Sequence, residues 1–271
     1  MVTLLESNTI YKKILHVSDL HIRTGDPDRA RYKQYAIVFK HFIETLQDMD
    51  LSDTLTIITG DIFHHKGKIE PAGLRLTHQL FRALLEKTPV VVICGNHDYR
   101  QDDPSIPDMI ETVLTLYRQT HPLYYLNKTG HYQVGNVGFG VVDVRDTLKQ
   151  YNTRGRVESL PSFPSPKELN TSYKIALFHG SVMPQSTMER FKSCQGYPLE
   201  WFTGYPMVLL GDIHKKQLHR TLTSDQVWGY PGSLIQQDFG ESWDNHGFLM
   251  WDLETRQAQF QPVYNLSLIH I

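Results

Sequence analysis

The chain has 271 residues, of which 40% are hydrophobic, and 27 lysines and arginines stand against 29 aspartates and glutamates. This apolar content is enough for a substantial globular core, whereas a formal net charge of −2 excludes a global attraction to nucleic acid or membrane, so any polyanion site must be local. The sequence shows neither a signal-peptide pattern at its start nor a run of about 18 apolar residues, which argues against secretion and membrane spanning.

Strand and helix patterns alternate through the first hundred residues. Continuous apolar runs at residues 13–18, 54–59 and 90–94 predict buried strands. Between them, a helical stripe of apolar side chains covers residues 31–49, and Pro71 opens a second helix that runs to about Lys87. This order predicts a βαβαβ unit with a parallel sheet.

The rest of the chain is richer in strand patterns. A third helix is predicted over residues 107–119, and residues 132–142 predict a hairpin that turns near Gly135 and Asn136. Residues 151–172 are polar and rich in Pro and Ser, which indicates a surface loop without a domain boundary. The strand pattern resumes at residues 174–178, and later strands at residues 207–210, 227–230, 248–253 and 259–263 favour a second sheet packed on the first.

Metal-binding side chains follow several of the apolar runs. They form five short motifs: Asp19-Leu20-His21, Gly60-Asp61, Gly95-Asn96-His97-Asp98, His179-Gly180 and Gly211-Asp212-Ile213-His214. Ligands bind beyond the carboxyl ends of strands in open α/β sheets, so motifs distant in sequence can converge on one pocket. One such motif alone is more often turn chemistry than a metal site. The coincidence of all five at strand ends favours a metal centre.

The motifs suit a centre with two divalent ions. Two ions about 3.5 to 4 Å apart, bridged by one carboxylate, can hold a hydroxide and clamp phosphate oxygens during in-line attack. Asp61 is placed to bridge, and Asn96 can offer an amide oxygen. The sequence offers seven candidate ligands: Asp19, His21, Asp61, Asn96, His179, Asp212 and His214.

Three more residues are candidate catalytic groups. His97 follows Asn96 and cannot easily bind the same ion, so we expect it to face the substrate, where it would stabilise charge or protonate the departing oxygen. Asp98 is expected to orient the loop or the imidazole. His64 is expected to reach the phosphate, although the adjacent His65 could take that role instead.

In their order and spacing, these motifs resemble the calcineurin-like metallophosphoesterase superfamily. Its signature is Asp-x-His, Gly-Asp, Gly-Asn-His-Asp/Glu, a lone His and Gly-His-x-His, and the match covers residues 13–220. Within that superfamily, residues 16–21, 60–64 and 230–241 resemble the DNA-repair nucleases typified by bacterial SbcD, including phage and viral relatives. The resemblance implies a four-layer αββα sandwich, an α/β fold with two mixed sheets flanked by helices.

The resemblance also implies manganese at both metal sites, with magnesium as the alternative. One ion would be bound by Asp19, His21, Asp61 and His214, and the other by Asp61, Asn96, His179 and Asp212. His97 and His64 would contact the scissile phosphate. This sequence departs from the family at Asp212, where the first histidine of Gly-His-x-His usually stands. A carboxylate there adds negative charge and favours harder ions.

The length is a second departure from the family. We expect one nuclease domain over residues 1–265 and a tail over residues 266–271, at which the sequence could be truncated; the capping and ATPase-docking segments of the family's nuclease subunits are not recognised. The resemblance implies DNA as the substrate and an SbcC-like SMC-family ATPase as a partner. Separately, we expect no membrane association and consider a homodimer as one assembly. Five basic residues flank the motifs and could contact phosphates or simply form charged, solvated loops: Lys66, Lys68, Arg100, Lys215 and Lys216.

The sequence therefore predicts metal-dependent hydrolysis of DNA phosphodiester bonds in repair or recombination, as an exonuclease or endonuclease. A phosphodiesterase for small nucleotides is the alternative within the same fold, and a metal-poor scaffold for protein binding is the alternative outside enzymes. Two cysteines do not suggest a disulfide framework, and Cys94 lies in an apolar strand where a buried free thiol is expected. A cytoplasmic location is expected, or the host cytoplasm for a viral protein.

Overall fold

The computed structural model describes residues 1–25, 30–100, 106–114, 120–148, 161–183, 196–221, 224–238, 240–242 and 244–265. The helices in these ranges are α1 (Arg31–Gln47), α2 (Pro71–Lys87), α3 (Met109–Leu114) and α4 (Val144–Leu148). The strands are β1 (Val2–Leu5), β2 (Lys13–Val17), β3 (Thr54–Thr59), β4 (Val90–Ile93), β5 (Leu123–Tyr125), β6 (Gly130–Val134), β7 (Val137–Val141), β8 (Tyr173–His179), β9 (Val182–Met183), β10 (Tyr197–Pro198), β11 (Met207–Gly211), β12 (Gln217–Arg220), β13 (Val227–Tyr230), β14 (Gly247–Asp252) and β15 (Ala258–Pro262).

A six-stranded sheet in the order β15-β14-β2-β3-β4-β5 contains the predicted βαβαβ unit. Strands β2, β3, β4 and β5 run parallel to one another, whereas β14 runs antiparallel to β2. Helix α1 buries Val38, Phe42 and Leu46 of the predicted stripe, and Tyr35 beside them. Helix α2 begins with Pro71, as predicted, and gives way to extended backbone at Thr88 because Pro89 follows.

A seven-stranded sheet has the order β1-β6-β7-β8-β11-β13-β12. It contains the predicted hairpin, in which β6 and β7 pair antiparallel, and Gly135 takes a φ of 56° in the turn. The remaining neighbours of β7, β8 and β11 are parallel, and β12 closes one edge antiparallel to β13. A separate pair of short strands, β9 and β10, runs parallel, with Tyr197 opposite Val182.

The two sheets pack face to face. Alternate residues of the first sheet, such as Leu55 and Ile57 in β3, join one core cluster with Phe139, Ile175 and Leu209 of the second. The other face of the first sheet packs against α1, α2 and α3. A smaller aromatic cluster covers the outer face of the second sheet and includes Phe202 of a short 3-10 helix, Leu199–Phe202. The predicted α/β class with two mixed sheets is confirmed, and within the described residues only short helical segments lie outside the second sheet.

Several predictions on the elements need correction. Strands β14 and β15 were expected in the second sheet, whereas they extend the first, because β14 pairs with β2. Residues 151–160 of the predicted surface loop lie outside the described residues, and residues 161–172 do more than cover the surface, since Leu169 is only 2% exposed and packs in the aromatic cluster.

Other predictions are met in part by the described residues. The third helix is described over Met109–Leu114, while residues 115–119 and the tail at 266–271 lie outside them. Cys94 is a buried free thiol, as expected, and Cys194 lies outside the described residues. Among the described helices, none combines the length and apolar content that a membrane span requires.

Candidate metal centre

The five motifs converge where strands of both sheets end. β2 and β3 of the first sheet lead to Asp19, His21 and Asp61, while β8 and β11 of the second lead to His179 and Asp212. Among non-glycine residues, Asp19, His21, Asp61 and Asp212 all have a positive φ, between 45° and 94°. Such backbone conformations cost on the order of 1 kcal/mol or more each and persist where the surrounding structure requires them. The strands therefore end in turns that aim side chains into one place.

Glycines allow these turns to approach each other closely. A Cβ on Gly60 would lie 2.6 Å from His179 Nδ1 and 2.7 Å from the backbone of Gly95. A Cβ on Gly95 would lie 2.2 Å from the backbone nitrogen of Asp61. The Gly-Asp and Gly-Asn-His-Asp motifs thus require glycine for packing, since a side chain at either position would push the candidate ligands apart.

The first group of candidate ligands is Asp19, His21 and His214. Their donor atoms lie within 4.8 Å of one another. His21 Nε2 lies 3.0 Å from His214 Nε2, and Asp19 Oδ1 lies 3.8 Å from His21 Nε2 and 3.9 Å from His214 Nε2. Two imidazoles and a carboxylate around one point form a donor set suited to a divalent ion.

The second group is Asp19, Asp61 and His179, again with donor atoms within 4.8 Å. Asp61 lies between the groups, because its Oδ2 is 3.3 Å from His21 Nε2 and its Oδ1 is 3.5 Å from His179 Nε2. Asp212 Oδ1 lies 3.9 Å from His179 Nε2, while Asp212 Oδ2 accepts a hydrogen bond of 2.8 Å from Ser181 Oγ. Asp61 is therefore positioned so that it could bridge two metal ions, as the sequence predicted.

Two atoms of the candidate ligands, Asn96 Oδ1 and His179 Nε2, are buried and have no hydrogen-bond partner among the described residues. His179 Nδ1 donates to the carbonyl of Thr59 at 2.7 Å, so in the neutral ring, the form that binds a metal, Nε2 is the nitrogen with the lone pair. Buried acceptors without partners are costly unless a cation or water fills the site. The residues present fit two divalent ions, and the role of the seven residues as ligands stays a prediction.

The charges of the site favour a cation. Burial raises the pKa of Asp19 to about 6. Burial alone would lower the pKa of His179, but Asp61, Asp19 and Asp212 outweigh it and hold that pKa well above its usual value. The pKa of His214 rises to about 9, because the hydrogen bond to Glu241 and the charge of Asp19 outweigh burial. The carboxylates thus attract positive charge here, and a divalent ion would supply it.

His97 and His64 lie beside the candidate ligands, in an arrangement that allows different roles. His97 Nδ1 donates to the carbonyl of His64 at 2.6 Å, so its Nε2 is left for the adjoining cavity. His64 Nδ1 accepts from Arg23 Nη1 at 2.8 Å, which leaves a proton on Nε2. Burial and the Arg23 charge lower the pKa of His64 to about 3. His64 is therefore a neutral hydrogen-bond donor.

Asp98 is fully buried behind this layer and does not contact the His97 imidazole. Its carboxylate accepts hydrogen bonds from the backbone nitrogens of Asp61, Phe63 and Gly95, at 2.8 to 3.0 Å. Burial and the charge of Asp61 raise the pKa of Asp98 to about 7. The sequence suggested that Asp98 orients either the loop or the imidazole. These hydrogen bonds to backbone nitrogens fit the first role, orientation of the loops.

Three residues at the site were not foreseen from the sequence. Arg23 holds His64, Ser181 holds Asp212, and Glu241 Oε1 lies 2.6 Å from His214 Nδ1. Glu241 belongs to the stretch at residues 230–241 that was noted for its resemblance, but no role was assigned to it. Lys216, considered a phosphate contact, instead places its Nζ 4.1 Å from the centre of the Phe260 ring.

Two neighbouring cavities lie at and beside the centre. One, of about 430 Å³, is lined by candidate ligands together with Arg23, His64 and His97. The other, of about 530 Å³, is lined by the same three residues and by His65, Lys66, Lys68 and Glu70. Because they share three residues, the cavities form one groove that leads from the candidate ligands to a basic rim.

Comparisons with known proteins agree with this geometry. A family model described as calcineurin-like phosphoesterase matches residues 12–216. Protein R555 of Acanthamoeba polyphaga mimivirus is 33% identical over 262 residues, which are 96% of this chain but 19% of that protein.

Two further relatives carry provisional phosphoesterase names. Protein 244L of invertebrate iridescent virus 6 is 24% identical over 236 residues, which are 86% of this chain and 73% of that protein. Protein 078R of invertebrate iridescent virus 3 is 27% identical over 225 residues, which are 82% of this chain and 59% of that protein. The chain spans less than two thirds of the length of the mimivirus protein and of protein 078R.

Proposed function

Because this chain belongs to the calcineurin-like phosphoesterase family, we propose that it is a two-metal nuclease that hydrolyses phosphodiester bonds in DNA. Two divalent ions, Mn²⁺ with Mg²⁺ as the alternative, would be held by the seven candidate ligands. When bound, they would neutralise phosphate oxygens and lower the pKa of an attacking water. The likeness of residues 230–241 to SbcD-like nucleases supports DNA as the substrate.

The protein's own side chains would position the phosphate and the leaving group. His64 is neutral with a proton on Nε2, and it would donate a hydrogen bond to a phosphate oxygen. The Nδ1–H of His97 is bound to the His64 carbonyl, so the doubly protonated ring would deliver its Nε2 proton to the departing oxygen and be left neutral. Arg23, held between His64 and the carbonyl of Gln237, would keep this pair of imidazoles in place.

The observation that carries the proposal for a polymeric substrate is the groove. A small phosphodiester needs only the cavity at the candidate ligands, whereas the second cavity continues past His64 and His97 to Lys66 and Lys68. Lys68 lies 3.3 Å from Glu70, so Lys66 would be the stronger contact for an adjacent phosphate. Because the net charge of the chain is slightly negative, a polyanion such as DNA needs a local basic surface, and this rim would provide one.

The test compares substrates with the purified full chain. End-labelled single-stranded and double-stranded DNA and bis(p-nitrophenyl) phosphate are incubated with and without Mn²⁺. We expect cleavage of DNA only with Mn²⁺, and a KM for DNA that rises several-fold in Lys66→Ala while hydrolysis of the small ester is unchanged. Activity on the small ester alone would support a small-molecule phosphodiesterase, and failure to bind two ions would support a binding scaffold.

His97→Ala is the catalytic variant for the same assay. Loss of a positioned proton donor lowers turnover by about 10² to 10⁴-fold. Because His97 is not one of the candidate ligands, Mn²⁺ affinity measured by calorimetry should be unchanged. His41→Ala, on the outer surface of α1, is the matched control. Wild-type turnover in His97→Ala would contradict the role proposed for this residue.

The proposed partners follow from the same resemblance. An SbcC-like SMC-family ATPase and a second copy of the chain are proposed as protein partners, and the host cytoplasm as the location. Size-exclusion chromatography with light scattering tests the homodimer.

A further inference from the structure

Glu241 lies beyond β13 and contacts the candidate ligand His214 from the side opposite the metal centre. Its Oε1 lies 2.6 Å from His214 Nδ1. We propose that Glu241 is a positioning residue that holds His214 in the orientation and tautomer required for a divalent cation. The proposal rests on the metal centre of the proposed function. Glu241 would act on that centre through His214.

The geometry fixes the proton of His214. A carboxylate only accepts hydrogen bonds, so the Nδ1 facing Glu241 must carry the proton. The lone pair of the neutral ring then lies on Nε2, which points toward His21 Nε2 at 3.0 Å and Asp19 Oδ1 at 3.9 Å. A carboxylate on the far nitrogen also raises the basicity of an imidazole ligand.

His214 needs such a partner more than His179 does. The His179 side chain is 1% exposed, and its Nδ1 is bound to the main-chain carbonyl of Thr59. The His214 side chain is 29% exposed, and its Nδ1 has a side-chain partner instead of a main-chain one. Packing alone thus restrains His214 less, so removal of Glu241 should free its ring.

Glu241 is itself held in place. Its Oε2 accepts from the backbone nitrogen of Gln237 at 2.7 Å and from Ser233 Oγ at 3.5 Å. Its side chain is 16% exposed. Arg23 and Arg31 donate to main-chain carbonyls of residues 236 and 237, at 2.6 to 3.2 Å. Glu241 is therefore held by partners other than His214, so it can restrain that imidazole without losing much freedom of its own.

The experiment measures binding of Mn²⁺ alone by titration calorimetry, using the full chain and no substrate. Glu241→Ala should weaken one of the two Mn²⁺ sites by about 10 to 100-fold and leave the other within about threefold. Glu241→Gln should weaken the same site less, because the amide oxygen can still accept from His214 Nδ1. The unfolding temperature in EDTA should match that of the wild type. Glu254→Gln, at an exposed glutamate that accepts from Tyr173, is the control.

Two results would overturn the proposal. One is wild-type affinity at both sites in Glu241→Ala. The other is an equal loss at both sites together with a lower unfolding temperature in EDTA, which would mean that Glu241 only stabilises the segment. If Glu241→Ala does not fold, Glu241→Gln decides between the outcomes. Because no substrate is present, a failure of DNA cleavage would leave this result standing and would count only against the proposed function.

Discussion

Asp212 is the residue at which this centre differs from the family pattern. Its backbone φ is 94°, and its Oδ2 is held by Ser181 Oγ, so Oδ1 is the oxygen directed toward His179. A carboxylate at this position adds negative charge to a site that already has Asp19 and Asp61. The centre should therefore prefer harder ions than a site with histidine there.

We expect Asp212→His to raise the affinity for Zn²⁺ relative to Mn²⁺ by on the order of tenfold, because imidazole is a softer ligand than carboxylate. Competition with a metal-sensitive dye, run for both ions, measures the ratio. Asp48→His, at the exposed end of α1, is the matched control. An unchanged ratio would mean that Asp212 does not bind the ion.

At the residue scale, local pattern predicted which candidate ligands converge but not what holds them. Asp61 and His179 could be placed because each follows a buried strand, and strand ends share an edge. Arg23 and Glu241 could not, because each acts through a contact with a residue distant in sequence, His64 or His214. A glutamate in a loop carries no local signal of such a contact.

At the scale of elements, a buried ionic network joins the short helices to the first sheet. Arg145 in α4 donates to Asp108 at 2.9 Å and to Asp143 at 2.6 Å. Asp108 also accepts from Tyr125 in β5 and from the backbone nitrogen of Glu111 in α3. The Met109 backbone nitrogen donates to the carbonyl of Asp98, so the network continues into the loop of the metal centre.

Arg145→Ala should lower the free energy of unfolding by about 3 kcal/mol, because two buried carboxylates lose their cation. Urea unfolding in EDTA measures the change, free of any effect of metal. Arg145→Lys retains the charge and should lose less. A change within about 0.5 kcal/mol for Arg145→Ala, the size expected of an ordinary surface substitution, would contradict this role for the network.

Local periodicity predicted the type of most long elements, but not the partners of the later strands. The strands at residues 248–253 and 259–263 were recognised, yet they were expected in the second sheet. β14 instead pairs with β2, through Leu249 and His16 among others. The choice between two sheet edges depends on the closed fold and is not encoded in the alternation of apolar residues. The short strands β1, β5, β9, β10 and β12 were not predicted at all.

At the scale of the whole molecule, the candidate ligands come from both sheets. Asp19 and Asp61 follow strands of the six-stranded sheet, whereas His179 and Asp212 follow strands of the seven-stranded one. A cation bound between them would link the two layers. Binding should therefore stabilise the entire fold and not just the loops.

We expect Mn²⁺ at about 100 times its dissociation constant to stabilise the fold by about 2.7 kcal/mol per site. For a chain of 271 residues, this should raise the unfolding temperature by roughly 5 to 10 °C per site. Scanning calorimetry with Mn²⁺ and with EDTA measures the difference, and the double variant Asp19→Asn, Asp61→Asn should show none. Equal unfolding temperatures for the wild type in both buffers would contradict the bridging arrangement.

Because β14 pairs with β2, one edge of β2 must wait for its partner during synthesis. While the chain grows on the ribosome, β2 can pair with β3, but its other edge has no partner until residues 247–252 emerge. At ordinary translation rates, that edge stays open for on the order of tens of seconds. Open strand edges recruit other chains. The nascent protein therefore passes through an aggregation-prone stage, and a chaperone that shields this edge would raise the yield of folded protein.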